Sequence, residues 1–420
     1  MRIAIVGAGI IGVTTAYELA ADGHDVTVFE RRGSAAEETS FANAGVLAPG
    51  QVTPWAAPGM PSKVARYLFS AHSPVRLGLP LSGAELAWIW KWLRACKPQI
   101  YMANRSRLQR LAFYSRLRLH QLSSDLQLDF DRSQGYLVLL RSERDSALLQ
   151  PGLQVLRDAG VAFEQIDAER TRRIEPAINP DTEFLGAVHV PGDEVGNCRQ
   201  FAMLLKKEAE TLGARFEFNA LVERIAPGKP VSLQLKGQPQ PQAFDAVVLC
   251  GGVDSTALLR PLGLKVPLAA VYGYSISAPI REPLNAPRSA LMDERYKVAI
   301  SRLGNRVRVA GSAEIGGSLA NKRAGAIQTL YKVLHDWFPG AAQISNTGSG
   351  VQEWKGARPM LPDGPPVLGA SGREGLWLNL GHGSSGWALS CGSARAVADL
   401  VGQRRPEIDL EGLGVERLLA

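Results

Sequence analysis

Residues 2–29 read RIAIVGAGIIGVTTAYELAADGHDVTVF, and Glu30 follows. Arg2–Val6 is a short apolar run of the kind that forms a parallel strand buried on both faces. It runs into Gly7-Ala8-Gly9-Ile10-Ile11-Gly12, and Val13–Asp22 then reads as a helix stopped by Gly23. Asp25–Phe29 is a second strand that delivers Glu30, 18 residues past Gly12. Gly7 permits the tight turn, Gly9 lets the backbone approach a pyrophosphate, and Gly12 lets helix and strand pack closely. The helix N-terminus faces the phosphate charge, and the acid accepts hydrogen bonds from the ribose hydroxyls. The stretch predicts an α/β chain built on a Rossmann-like nucleotide-binding domain.

That unit alone suits NAD or FAD, and two distant segments decide between them. Ala243–Gly252 (AFDAVVLCGG) is a buried-type strand ending in Cys250-Gly251-Gly252. A helix at Arg199–Leu212 and candidate strands at Arg215–Phe218 and Leu221–Ile225 precede it. This interleaving resumes the nucleotide domain after a long insertion. Gly375–Leu380 feeds Gly381-His382-Gly383-Ser384-Ser385-Gly386-Trp387 and a helical stretch through Leu400, a second strand–glycine loop–helix. A cofactor touched by both chain ends suits extended FAD. The expected domains are an FAD-binding part from 1–60, 190–258 and 345–420, and an antiparallel-sheet α+β substrate part from 61–189 and 259–344.

Several longer segments carry a resemblance: Glu38-Thr39-Ser40-Phe41-Ala42-Asn43-Ala44-Gly45, Pro54-Trp55-Ala56-Ala57-Pro58-Gly59, Gly273-Tyr274-Ser275, Asp293–Lys297, Arg358-Pro359-Met360-Leu361-Pro362-Asp363-Gly364 and Leu380–Gly383. Across almost its whole length the chain resembles the D-amino acid dehydrogenases of the small-subunit type, within the D-amino acid oxidase and glycine oxidase group. The resemblance implies FAD-dependent oxidation of a D-amino acid by hydride transfer from its α-carbon. Hydrolysis of the imine then gives a 2-oxo acid and ammonia.

The same resemblance places the substrate carboxylate on Arg358, in a G-x-R-P context, where a planar guanidinium grips it through two parallel hydrogen bonds. Tyr296, at the start of the strand-like run Tyr296–Arg302, and Tyr274, with Tyr272 as its neighbour, are candidates for a further hydrogen bond or for the pocket wall. His382 is expected beside the isoalloxazine rather than as a general base. The cofactor contacts are expected from Gly7, Gly9, Ile11, Gly12, Glu30, Arg31, Ser40, Asn43, Ala44, Gly45, Val222, Cys250, Gly251, Gly252, Gly381, His382, Gly383, Gly386 and Trp387. Neither the Thr39–Ser40 neighbourhood nor the Arg358 loop offers a histidine or cysteine, so FAD attachment is expected to be noncovalent. No Ser/His/Asp or Cys/His arrangement points to nucleophilic catalysis.

Four separated cysteines and six scattered histidines give no metal-ligand spacing and fit a reducing compartment. The chain shows no secretory leader and no apolar run of spanning length, so it reads as cytoplasmic. Charge is concentrated. Eleven lysines and arginines lie between Gln51 and His120 against the single acid Glu85, while the whole chain is only +7. Within 61–120 stand three tryptophans, Trp88, Trp90 and Trp92, and a helix at Arg105–Asp125. Its apolar stripe is Leu108, Leu111, Ser115, Leu122 and Leu126, and Arg105, Arg107, Arg110, Arg116 and Arg118 supply its charge. Tryptophan with basic residues suits an anionic membrane surface, from which electrons pass to a quinone or another non-oxygen acceptor. No nucleic-acid module is recognisable, and no such partner is expected. Two other functions fit the same scaffold: a D-proline or hydroxy-D-proline dehydrogenase, and a flavin subunit of a larger electron-transfer complex.

Overall fold

The apolar runs assemble, in a computed structural model describing residues 1–67, 72–342, 344 and 350–419, into two large sheets, each packed on its own helices, and a small three-stranded layer. The first sheet has six strands in the order 367–373, 376–380, 246–249, 2–6, 25–29 and 215–217. All its pairings are parallel except the outermost, between Val367–Arg373 and Leu376–Leu380. Ile3, Ile5, Val26, Val28 and Val248 face the helices Ile10–Ala21, Cys198–Thr211 and Gly386–Val401. Ala4, Val6, Phe29, Val247 and Leu249 face an antiparallel three-stranded layer, Val222–Ala226, Val231–Leu235 and Gln242–Phe244. Burial on both faces is why these strands read as unbroken apolar runs.

The second sheet orders its strands 352–360, 269–279, 306–316, 298–303, 290–293, 133–140, 186–195 and 46–47, with 75–78 and 164–167 attached at the side. Most of its pairings are antiparallel. One face packs on the helix Ala324–Trp337 through Ile276, Leu291, Ile300 and Val309. The opposite face looks toward the nucleotide part: Ser301 Oγ donates to the Ala44 carbonyl at 2.7 Å, and Arg308 to that of Asn43 at 3.2 Å.

The expected domain division differs from this layout at several places, and the second-sheet strand Gly186–Val195 crosses its boundary at 189/190. The boundary at 345 lies outside the described residues, and the strand Gln352–Met360 after it belongs to the second sheet. So does Val46–Leu47, from the first expected piece. The helix Pro98–Asp125, expected in the substrate part, packs its Leu108, Leu111, Leu119 and Leu122 into the core of the first sheet.

The charge of that helix is also disposed differently from the open basic face that its arginines suggest. Arg118 pairs with the buried Glu18 at 2.7 Å, Arg105 with Asp158 at 3.0 Å and Arg110 with Asp409 at 3.2 Å. Arg116 donates to the Gly192 carbonyl and Arg107 to Asn104. Most of these partners lie far away in sequence, so the local pattern overstates the free charge.

Asp193 is the opposite case, an acid without a matched partner. It is buried in an irregular stretch of Gly186–Val195, and among the described residues neither carboxylate oxygen has a hydrogen bond of good geometry. Burial pushes its carboxyl up to about 7, against smaller opposing effects from Arg116 and Gln51. The raised value means that folding favours the protonated acid. Its stabilising contribution is full below the ordinary carboxylate range and is lost as pH rises through about 7. Asp193→Asn is therefore expected to melt at a higher temperature than the unsubstituted protein at pH 8 and to show a flatter decline between pH 5 and 8. Parallel melting curves across that range would contradict the assignment. Glu175, likewise buried and raised to about 7, leaves a residual slope in both proteins.

Candidate active site

The glycine loop has the steric requirements that its sequence implies. Gly7 has φ +102°, and a Cβ on Gly12 would lie 1.8 Å from the Gly7 carbonyl oxygen. The Gly9 N-cap puts no side chain over the start of the helix Ile10–Ala21, while Ser40 Oγ accepts from the Ile10 amide at 3.0 Å. Ile11 lies in the first turn of that helix. Glu30 accepts from the Ala8 and Arg32 amides at 2.7 and 2.8 Å, which fixes its carboxylate at the end of the second strand.

Arg31 is tied down by protein carboxylates, pairing with Glu38 and Asp254, each at 2.7 Å. It clasps the N-terminal piece to the loop that follows Cys250-Gly251-Gly252. The Ala220 amide donates to the Glu30 carbonyl at 2.8 Å, bringing Val222 alongside. Cys250 continues the central strand, its amide donating to Val6.

The loop Asn43-Ala44-Gly45 lies between the two sheets. Asn43 Oδ1 accepts from the Gly45 amide, and Gly45 has φ +78° against the Gly196 carbonyl. From the other chain end come Gly381 (φ +82°), His382 and Gly383 (φ +60°), then the helix that starts at Gly386. This helix also begins without a side-chain cap, and among the described residues the buried Trp387 Nε1 has no hydrogen-bond partner. Two long helices thus open from glycine loops and aim their N-termini at the space an acidic or carbonyl-bearing ligand would take, with the Ile10 amide alone already held by Ser40.

Arg358 faces the space next to these loops. Its Nη1 donates to the Ser312 carbonyl at 3.0 Å, and the Trp55 ring lies 5.8 Å away. Among the described residues no carboxylate pairs with it, and burial alone pushes its guanidinium down to about 10. Gly273 makes room for it: a Cβ there would sit 2.4 Å from Arg358 Nη2. Trp354 folds over Gly356 on the same strand, and Thr39 Oγ1 donates to the Ala357 carbonyl at 2.7 Å.

The two tyrosines are not brought to Arg358. Tyr274 pairs with Lys355 across the strands, one step out of phase with Gly273 and Gly356, so its ring points to the opposite face. There it is buried and hydrogen-bonded to Glu314, which also accepts from Lys355 at 2.9 Å. Tyr272 lies against the same Lys355. Tyr296 is not on a strand at all. It occupies the turn between Ala290–Asp293 and Val298–Leu303, with Arg141 and Lys332 against its ring. His382 is buried, its Nε2 3.0 Å from Ser393 Oγ, and burial pushes its imidazole down to about 3. It is therefore neutral at physiological pH and unsuited to hold a proton for general acid catalysis.

Comparison with known proteins identifies this architecture. The sequence model of the DAO family, FAD dependent oxidoreductase, matches residues 2–400. A D-amino acid dehydrogenase of Cereibacter sphaeroides is 44% identical, covering 100% of this chain and 96% of the relative. One from Bradyrhizobium diazoefficiens is 43% identical, covering 99% of each. The chain belongs to the FAD-dependent oxidoreductase family. Among solved structures, glycine oxidase from Geobacillus kaustophilus superposes with a TM-score of 0.76 at 23% identity, covering 99% of this chain and 98% of that one. The cofactor of this family member is FAD, and the two helix starts at glycine loops, the fixed Glu30 and the Trp387 indole donor fit it.

Reading the sequence did not single out Gly273, Trp354 or Asp193. Gly273 lies in a segment that carried the resemblance, but its need to be glycine comes from Arg358, 85 residues later.

Proposed function

We propose that this chain is a D-amino acid dehydrogenase that converts D-amino acids to 2-oxo acids and ammonia, passing electrons to a quinone or another non-oxygen acceptor. The observation that carries this is Arg358, a guanidinium on the site-facing side of the sheet that pairs with no carboxylate among the described residues. A substrate carboxylate supplies the missing counter-charge. The name printed for the full-length relatives supports the D-amino acid as substrate. Bound FAD supplies the hydride acceptor. The chain itself anchors the carboxylate, fixes the α-carbon relative to the Asn43–Gly45 and Gly381–Gly383 loops, and excludes water with Trp55 and Trp354. FAD is held noncovalently: the nearby Cys250 thiol is buried and pushed up to about 12, so it is no nucleophile. Acid precipitation that leaves FAD in the pellet would contradict this. With D-alanine and a soluble quinone, the purified protein should form equal amounts of pyruvate and ammonia. Equal turnover of L-amino acids, or none of any D-amino acid, would contradict the proposal.

A lipid surface is the proposed site of electron delivery. Among the described residues, no helix is long and apolar enough to cross a membrane. The helix Gly83–Ala95 buries Trp88, whose Nε1 donates to Met360, yet exposes Leu86, Trp90 and Leu93 along one stripe. Arg94 stacks on Trp90, and Lys91 and Lys97 flank it. Such a face suits the cytoplasmic, anionic leaflet. Trp90→Ser with Leu86→Ser should release the protein from sedimenting anionic vesicles. Sedimentation equal to that of the unsubstituted protein would remove this face from consideration.

A further inference from the structure

A cavity of about 270 Å³ lies on the site-facing side of the second sheet, between it and the helix Glu143–Asp158. Its walls are largely apolar, with Val138, Val188 and Met292 from the sheet and Leu153 and Leu156 from the helix. Met292 is on the correct face by alternation, because its neighbours Leu291 and Asp293 face the helix Ala324–Trp337. The charged residues at the rim, Glu294 and Lys297, are paired with each other.

The chain links this cavity to the Arg358 neighbourhood: Thr53 lines the cavity, and two residues later Trp55 lies over Arg358. Gly50 and Gln51 of the wall closely follow the Asn43–Gly45 loop.

We infer that this cavity receives the substrate side chain and selects uncharged D-amino acids with long or branched aliphatic or thioether side chains, such as D-leucine and D-methionine, over D-alanine. The inference rests on Arg358 holding the carboxylate. With the carboxylate fixed there, a methyl group leaves most of the cavity unfilled, since a water takes up only about 30 Å³. A four-carbon or thioether chain displaces that water and meets apolar walls. A charged side chain finds Glu294 and Lys297 already satisfied.

Steady-state kinetics of the holoenzyme test this. For the unsubstituted protein, kcat/KM for D-leucine should exceed that for D-alanine by about ten-fold or more, the scale on which apolar pockets discriminate added methylenes. Met292→Trp fills the cavity and should lower that ratio by about ten-fold. Met292→Ala enlarges it and should raise D-phenylalanine relative to D-leucine. A D-leucine to D-alanine ratio at or below one in the unsubstituted protein, or ratios unmoved by both variants, would overturn the inference while leaving the dehydrogenase reading intact. No oxidation of any D-amino acid would instead overturn that reading, and this inference with it.

Discussion

Arg358→Met should lower kcat/KM for D-amino acids by about 10²- to 10³-fold while the protein still purifies with FAD. Truncating one partner of a desolvated charge pair costs about 2–5 kcal/mol, and each 1.4 kcal/mol is about ten-fold in rate. Stability should move the other way. The guanidinium is held beside Trp55 with the Ser312 carbonyl as acceptor and no carboxylate among the described residues. Removing it relieves an uncompensated charge, so the melting temperature should hold or rise. Arg358→Lys keeps the charge but loses the planar fork, and should recover only part of the activity. A melting temperature that falls together with activity would point to a structural role for the arginine.

Gly12→Ala should yield protein without FAD, and much of it misfolded. The added methyl meets the Gly7 backbone carbonyl at 1.8 Å, and no side-chain rotation relieves that contact. The helix Ile10–Ala21 would have to lift from the strand, removing the donors that the pyrophosphate needs. Gly23 in the same unit is the control. It has φ +80° but nothing within 4 Å of a built Cβ, so Gly23→Ala should cost about 1–2 kcal/mol of backbone strain and leave FAD in place. Stoichiometric FAD in Gly12→Ala, read from the ratio of flavin to protein absorbance, would contradict the steric account.

The contrast between these two glycines shows what a sequence can carry. Strands buried on both faces leave continuous apolar runs, and a glycine loop joined to an acid leaves fixed spacings. The nucleotide unit is therefore legible almost to the residue: Arg2–Val6 and Asp25–Phe29 are the strands observed. Tyr296 is misplaced by its sequence because YKVAISR alternates like a strand from its first residue, whereas the strand starts at Val298, after a turn closed by Lys297 at φ +52°. Tyr274 misleads for a different reason. The sheet is buried on both faces, so alternation says that Tyr274 and Gly273 point apart but not which one faces the site. The arginines of Pro98–Asp125 find Glu18, Asp158 and Asp409 only in the folded chain. The cavity has no sequence signature, being the gap between a helix and a sheet that meet only in three dimensions.

Arg358 and bound FAD together oxidise D-amino acids, and anaerobic mixing reads that half-reaction without an electron acceptor. The protein is mixed with D- and L-leucine, and with D- and L-alanine, while the oxidised-flavin band at about 450 nm is followed. Both D-forms should bleach the band, D-leucine faster, and the L-forms should leave it unchanged. A band unchanged by every D-amino acid, or bleached equally by both hands, would contradict it.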